Sequence, residues 1–104
     1  MEKKFKCCAK DSPEAKNINQ VYLFLRAISD PNRLKILCFL RSGPKCVCKI
    51  FPAIGISDKL ASHHLKQLKK IGVLKEKREG NFVYYSLKKA ALQEYKKIFN
   101  QIIR

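Results

Sequence analysis

Apolar residues recur along this chain with two different periods. Ile18, Val21, Tyr22, Leu25 and Ile28 fall at spacings of three and four, which predicts a helix ending near Ser29. Ser12-Pro13-Glu14 supplies its start: a capping hydroxyl, a proline in the first turn and an acid at the positive end. Leu23 and Phe24 carry apolar surface around its side, more than one core face needs. Asp30-Pro31 opens a second helix with Leu34, Leu37, Cys38 and Arg41 on one stripe, broken by Ser42-Gly43-Pro44. Cys46 to Ile54 reads as an extended approach and then a short helix stopped by Gly55; Pro52 is tolerable only in its first turns. Ser57 caps the best-defined helix, with Leu60, Ala61, His64, Leu65, Leu68 and Ile71 on one side and Gly72 as its stop. The period then drops to two. Residues 73–78 and 82–87 flank Glu79-Gly80-Asn81, the pattern of a β-hairpin. A last helix runs from Lys88, with Ala91, Leu92, Tyr95, Ile98, Phe99, Ile102 and Ile103 again exceeding a single core face.

This order predicts a mainly α fold with a small β-hairpin, a winged helix-turn-helix whose first and last helices pair two protomers. At 104 residues there is room for one domain, here 12–104, preceded by a Lys- and Cys-containing arm over residues 1–11 that reads as mobile. A hydrophobic fraction of 46% argues for a folded core. The charge narrows the function: 23 Lys and Arg against 8 Asp and Glu give +15, an excess suited to a polyanion. Lys59, Lys66, Lys69, Lys70, Lys75, Lys77 and Arg78 cluster in the capped helix and first hairpin strand, with Glu76 the one acid between Lys59 and Arg78. A capped helix can enter a major groove while a hairpin reaches the neighbouring backbone. No run of about 18 apolar residues is present, so no membrane span is expected. Met1 to Lys10 holds no apolar core of a secretory signal, and a cytoplasmic protein is expected.

The residues resemble a known family. Asp30-Pro31-Asn32-Arg33-Leu34-Lys35-Ile36-Leu37 is similar to the second-helix signature of the ArsR/SmtB repressors. Cys46-Val47-Cys48 resembles their metal-binding box, Ser57 to Leu68 their recognition helix, and Arg78-Glu79-Gly80 with Val83 to Leu87 their wing. The likeness covers residues 18–103. It implies a homodimeric repressor that leaves an inverted-repeat operator in double-stranded DNA when a metal or metalloid binds, or when thiols are modified. It also puts Ser57, Lys59, Leu60, Ser62, His63 and Lys66 near DNA, with Arg78 and Asn81 of the wing. Helical spacing assigns His64 instead to the core stripe, with His63 turned about 100° away from it.

Five cysteines in a reducing compartment are expected as thiols rather than as a disulfide framework. Cys38 sits on the second helix's stripe and reads as a small buried residue. Cys46 and Cys48 offer two thiolates, whereas a soft ion takes three or more: As(III) or Sb(III) three, Cd²⁺ or Pb²⁺ usually more. Cys7 and Cys8 of the arm could complete the set, from either protomer. The last helix has no histidine and Glu94 as its one acid, which disfavours a zinc or nickel site there. Redox or sulfur-species sensing by the same thiols is the alternative, and a nonspecific architectural nucleic-acid binder a further one. An enzyme is not expected, because there is no Cys-x-x-Cys beside a βαβ unit and no glycine-rich phosphate loop.

Overall fold

The computed structural model describes residues 13–103. Helix α1 spans Pro13–Ile28 and α2 spans Pro31–Phe39, closed by a 3-10 turn over Leu40–Ser42. Strand β1, Lys45–Cys46, leads directly into α3, Val47–Ile54, and then α4, Asp58–Lys70. Strands β2, Leu74–Glu79, and β3, Phe82–Leu87, form the wing, and α5 spans Lys89–Ile103. The fold is the winged helix-turn-helix that the pattern predicts, with one addition. The sheet has three strands in the order β1-β3-β2, because Lys45 and Cys46 pair antiparallel with Tyr85 and Tyr84. Two residues are too few to show a period, so only the hairpin was expected. No helix among the described residues is long and apolar enough to cross a membrane.

The core gathers Ile36 and Leu40 behind α2, Ile50 of α3, Leu65 and Leu68 of α4, Val73, Leu74 and Tyr85. Two helical phases differ from expectation. In α1 the inward residues are Val21, Phe24, Ala27 and Ile28, while Ile18, Tyr22 and Leu25 of the predicted stripe are exposed on the single chain. In α2 the buried positions are Ile36 and, just beyond the helix, Leu40. Leu34 is 49% exposed, and Cys38 and Arg41 are exposed too, so Cys38 is not the buried residue expected. The physical reason is the same in both: each helix is apolar on opposing faces, so hydrophobicity alone leaves the rotation undetermined.

Elsewhere local chemistry fixes the path. Asp30 accepts from the backbone N–H of Asn32 (2.8 Å) and of Arg33 (3.2 Å), capping α2 as its sequence suggests. Helix α3 begins immediately after Cys46, so Pro52 lies in its second turn, within the first turns where it is tolerable. Pro52 has no N–H to give the preceding turn, and the helix stops two residues later. Gly55 then takes φ +85°, a left-handed conformation that costs glycine little, and reverses the chain toward α4. At the wing tip the register Glu79↔Phe82 leaves Gly80 and Asn81 as the two-residue turn, with Gly80 at φ +62°.

Candidate nucleic-acid interface and thiol pair

Helix α4 separates two chemistries cleanly. The Ser57 hydroxyl accepts from the Leu60 N–H at 3.1 Å, and Asp58 adds negative charge to the first turn. Ala61, His64, Leu65 and Leu68 point into the core. The opposite side presents Ser57, Lys59, Leu60, His63 and Lys66 to solvent, with Ser62 half-buried against Asp58. Leu60 is 41% exposed, so it leaves the core stripe given to it by spacing and joins the outer set. Arg78 and Asn81 are exposed on the wing. The candidate DNA residues thus share the open side of α4 and the wing, where hydroxyls, ammonium groups and an imidazole can donate to phosphates or base edges.

Two polar clusters hold this surface in place, and sequence reasoning identified neither. In the first, buried His64 (5% exposed) accepts at Nδ1 from the Arg33 Nε at 2.9 Å. The Arg33 Nη1 also donates to the Ala27 carbonyl at 3.1 Å, and Asp30 Oδ1 lies 4.0 Å from His64 Nε2. Arg33 therefore ties α4 to the end of α1. Burial pushes the His64 pKa below its usual value; Asp30 opposes that shift and the Arg33 charge reinforces it. Burial would raise the Asp30 carboxyl, but the two backbone N–H bonds outweigh it and hold the group below its ordinary value.

The second cluster centres on Glu76, the lone acid of the basic stretch. Its Oε1 accepts from Lys69 Nζ at 2.9 Å and from the Tyr85 hydroxyl at 3.2 Å, while Arg78 Nε lies 3.5 Å from Oε2. The Lys69 hydrogen bond, first among the causes, holds the carboxyl below its usual range. Burial, followed by the Glu76 charge, pushes Tyr85 up to about 12. Glu76 thereby locks the last turn of α4 to both wing strands. A single acid among cations is the only sequence signal that pointed to it.

The thiols lie at the other end of the helix-turn-helix. Cys46 ends β1 and caps α3, and its Sγ accepts from the Cys48 N–H at 3.2 Å. The two sulfurs are joined as a disulfide across a Cα separation of 5.1 Å, where free thiols were expected. The cause is local. Cys46 is extended and Cys48 already lies in the first helical turn, which folds both side chains to the same side. Two sulfurs fit a soft ion in donor chemistry, but only as the reduced pair, since a disulfide has no thiolate to offer. Cys7, Cys8 and the arm assigned to residues 1–11 lie outside the described residues. Among the described residues no group of three or more His, Cys, Asp or Glu could hold a metal ion.

The family model described as bacterial regulatory protein, arsR family, matches residues 30–76. The cadmium resistance transcriptional regulatory protein CadC homolog of Staphylococcus aureus is 41% identical over 80 residues, spanning 76% of this chain and 66% of that protein. The transcriptional repressor SdpR of Bacillus subtilis is 44% identical over 69 residues, spanning 66% of this chain and 77% of that protein. Among solved structures, the homodimeric winged helix-turn-helix DNA-binding domain of a possible ArsR-family regulator from Mycobacterium bovis superposes with a TM-score of 0.71 at 26% identity. That match covers 99% of this chain and 89% of the other.

Proposed function

Because this chain belongs to the ArsR family of bacterial regulatory proteins, and its relatives include a transcriptional regulatory protein and a transcriptional repressor, we propose that it is a homodimeric repressor releasing its operator when a soft metal or metalloid binds its thiolates. The reduced Cys46 and Cys48 would hold the ion, with Cys7 or Cys8 completing its coordination. The ion's identity lies among As(III), Sb(III), Cd²⁺ and Pb²⁺, and the cadmium-resistance name of the Staphylococcus relative supports a metal inducer. The observation that carries the reading is the position of Cys46-Val47-Cys48. The box opens α3, which turns at Gly55 straight into the reading helix. Ligation at the start of α3 therefore acts one helix away from the DNA surface. Reducing conditions of the cytoplasm suit such a site.

Pairing of protomers through α1 and α5 belongs to the same reading. Ile18, Tyr22 and Leu25 on α1 and Phe99, Ile102 and Ile103 on α5 leave more apolar surface than a small monomer keeps wet. Phe24 does not contribute, since its ring stacks on Tyr95 of the same chain at 4.4 Å. Sedimentation should give a dimer at micromolar concentration, and a monomer would contradict this arrangement.

A second reading has one observation in its favour. The Cys46–Cys48 disulfide supports redox or sulfur-species sensing by the same pair. A Cys→Ser panel separates the two. Reduced protein bound to operator is titrated with As(III), Cd²⁺ or Pb²⁺, and separately with oxidant, while release is followed. The metal reading expects release by an ion, lost in Cys46→Ser, in Cys48→Ser and in the Cys7→Ser/Cys8→Ser double variant, and kept in Cys38→Ser. Release by oxidant alone, unaffected by loss of both arm cysteines, would transfer the function to redox chemistry.

A further inference from the structure

We infer that the cleft between the C-terminal halves of α1 and α4 is a binding site for a small amphiphilic organic anion, a carboxylate on an apolar body. The cleft has a volume of about 920 Å³, within the range of small-molecule sites. Its lining is divided in a way that selects such a ligand. Arg26, Arg33 and Lys70 supply positive charge, while Leu23, Ile71 and the Tyr95 ring supply apolar surface.

The positive charge is in excess. Asp30 is the one carboxylate in the lining, and its Oδ1 is already committed to the backbone N–H groups of Asn32 and Arg33. Among the described residues, neither Arg26 nor Lys70 forms an ion pair. Arg33 spends Nε on His64 and Nη1 on the Ala27 carbonyl, which holds its guanidinium in one orientation at the cleft wall and leaves Nη2 without a partner among those residues. A fixed guanidinium flanked by two freer cations is an arrangement that carboxylates satisfy well. Tyr95 is fixed as well, because its hydroxyl donates to the Ile71 carbonyl at 2.8 Å and its ring stacks on Phe24. The apolar surface is therefore preformed, and it would gain nothing from a bare phosphate or a DNA backbone.

Occupancy has a consequence for DNA. A carboxylate held by Arg33 Nη2 pulls on the side chain that joins His64 of α4 to α2 and to the Ala27 carbonyl of α1, so it should shift the seating of the reading helix. The binding itself does not depend on the thiol reading, and it can be measured with neither DNA nor metal present.

The test is calorimetric titration of the reduced full-length protein with octanoate below its micelle range, with 1-octanol and with inorganic phosphate. Octanoate should bind at least ~10-fold more tightly than either control. The Arg26→Gln/Lys70→Gln double variant should lose at least ~10-fold of that affinity with an unchanged thermal midpoint. Equal binding of octanol would reduce the cleft to an apolar crevice and overturn the proposal. Equal binding of phosphate would overturn it in favour of a plain anion site. No binding of octanoate, or undiminished binding by the double variant, would also end it. A double variant that loses operator affinity while octanoate fails to bind wild type would assign the cleft to DNA instead.

Discussion

The outward faces of α4 and of α1 are both solvent-exposed on the single chain, yet they are built oppositely. On α4 the exposed side carries Lys59, His63 and Lys66 over a buried row of Ala61, His64, Leu65 and Leu68. On α1 the exposed side carries Ile18, Tyr22 and Leu25 over a buried Val21 and Ala27. A polar face over an apolar one is complete once it meets water or a polyanion. An apolar face over an apolar one is complete only when a second surface covers it. The same argument extends to α5, where Ile98 is buried while Phe99, Ile102 and Ile103 remain exposed. The molecule thus divides into an electrostatic side suited to DNA and an apolar side that, on the proposed reading, another copy of the chain would cover.

Salt should separate those sides most strongly. A basic dimer that releases counterions from six or more phosphates loses roughly 1,000-fold or more of DNA affinity between about 50 and about 200 mM salt. The apolar association of α1 and α5 should hold or strengthen over the same interval. Filter binding and sedimentation in matched buffers measure the two. A flat DNA response would remove the nucleic-acid reading, and parallel weakening of dimer and DNA complex would abolish the division.

Within α4 the two faces can be set against each other. Leu65 is fully buried, so Leu65→Ala should cost about 2–5 kcal/mol in a denaturant titration. Leu60→Ala, on the exposed side, should cost less than about 1 kcal/mol while weakening operator binding. Reversal of this order would mean that the wrong face has been put in the groove.

The same contrast explains what could be read in advance. Helix α4 was legible in its phase because Lys66, Lys69 and Lys70 mark the outside against Leu65 and Leu68. The rotations of α1 and α2 were not, because the exposed Leu25 and Leu34 are as apolar as the Val21 and Ile36 that fold inward. The candidate DNA residues were legible as a helix face plus a hairpin. Their supports were not, since Arg33 and His64 stand 31 positions apart and meet only through the tertiary fold. The disulfide escaped for a different reason. Pairing of Cys46 with Cys48 depends on where the strand ends and the helix begins, and composition argues only about the compartment.

Of the supports, Glu76 should matter more for placement than for folding. Glu76→Gln keeps the shape but removes the charge that Lys69 and Arg78 approach, and a cost of about 1 kcal/mol is expected. In the wild-type protein its contribution is present above pH 4.5 and lost as pH falls through the lowered folded pKa. Operator affinity should fall further than stability does, because the wing loses its tie to α4. A variant that loses stability alone would make Glu76 an ordinary structural residue.

The smallest effect, and the most specific, belongs to His64. Its imidazole accepts a proton-bearing Nε from Arg33 at Nδ1, which requires that nitrogen to be unprotonated. Protonation would set a cation against the Arg33 guanidinium inside a buried contact, and the Asp30 carboxylate 4.0 Å from Nε2 only partly offsets this. The folded pKa is therefore depressed, so the unfolded chain binds the proton more readily. Stability from this group is full above pH 6.5 and is lost as pH falls through the folded pKa beneath it. Asp30 and Glu76 act in a separate, more acid window, because their own lowered pKa values lie under 3.8 and 4.5. Thermal midpoints measured from pH 7.5 downward should therefore begin to decline below 6.5 in the wild type. His64→Gln, which cannot take up a proton, should start lower and stay flat until the carboxylates titrate. An equal slope in both proteins would detach the pH response from the bond between α4 and α2.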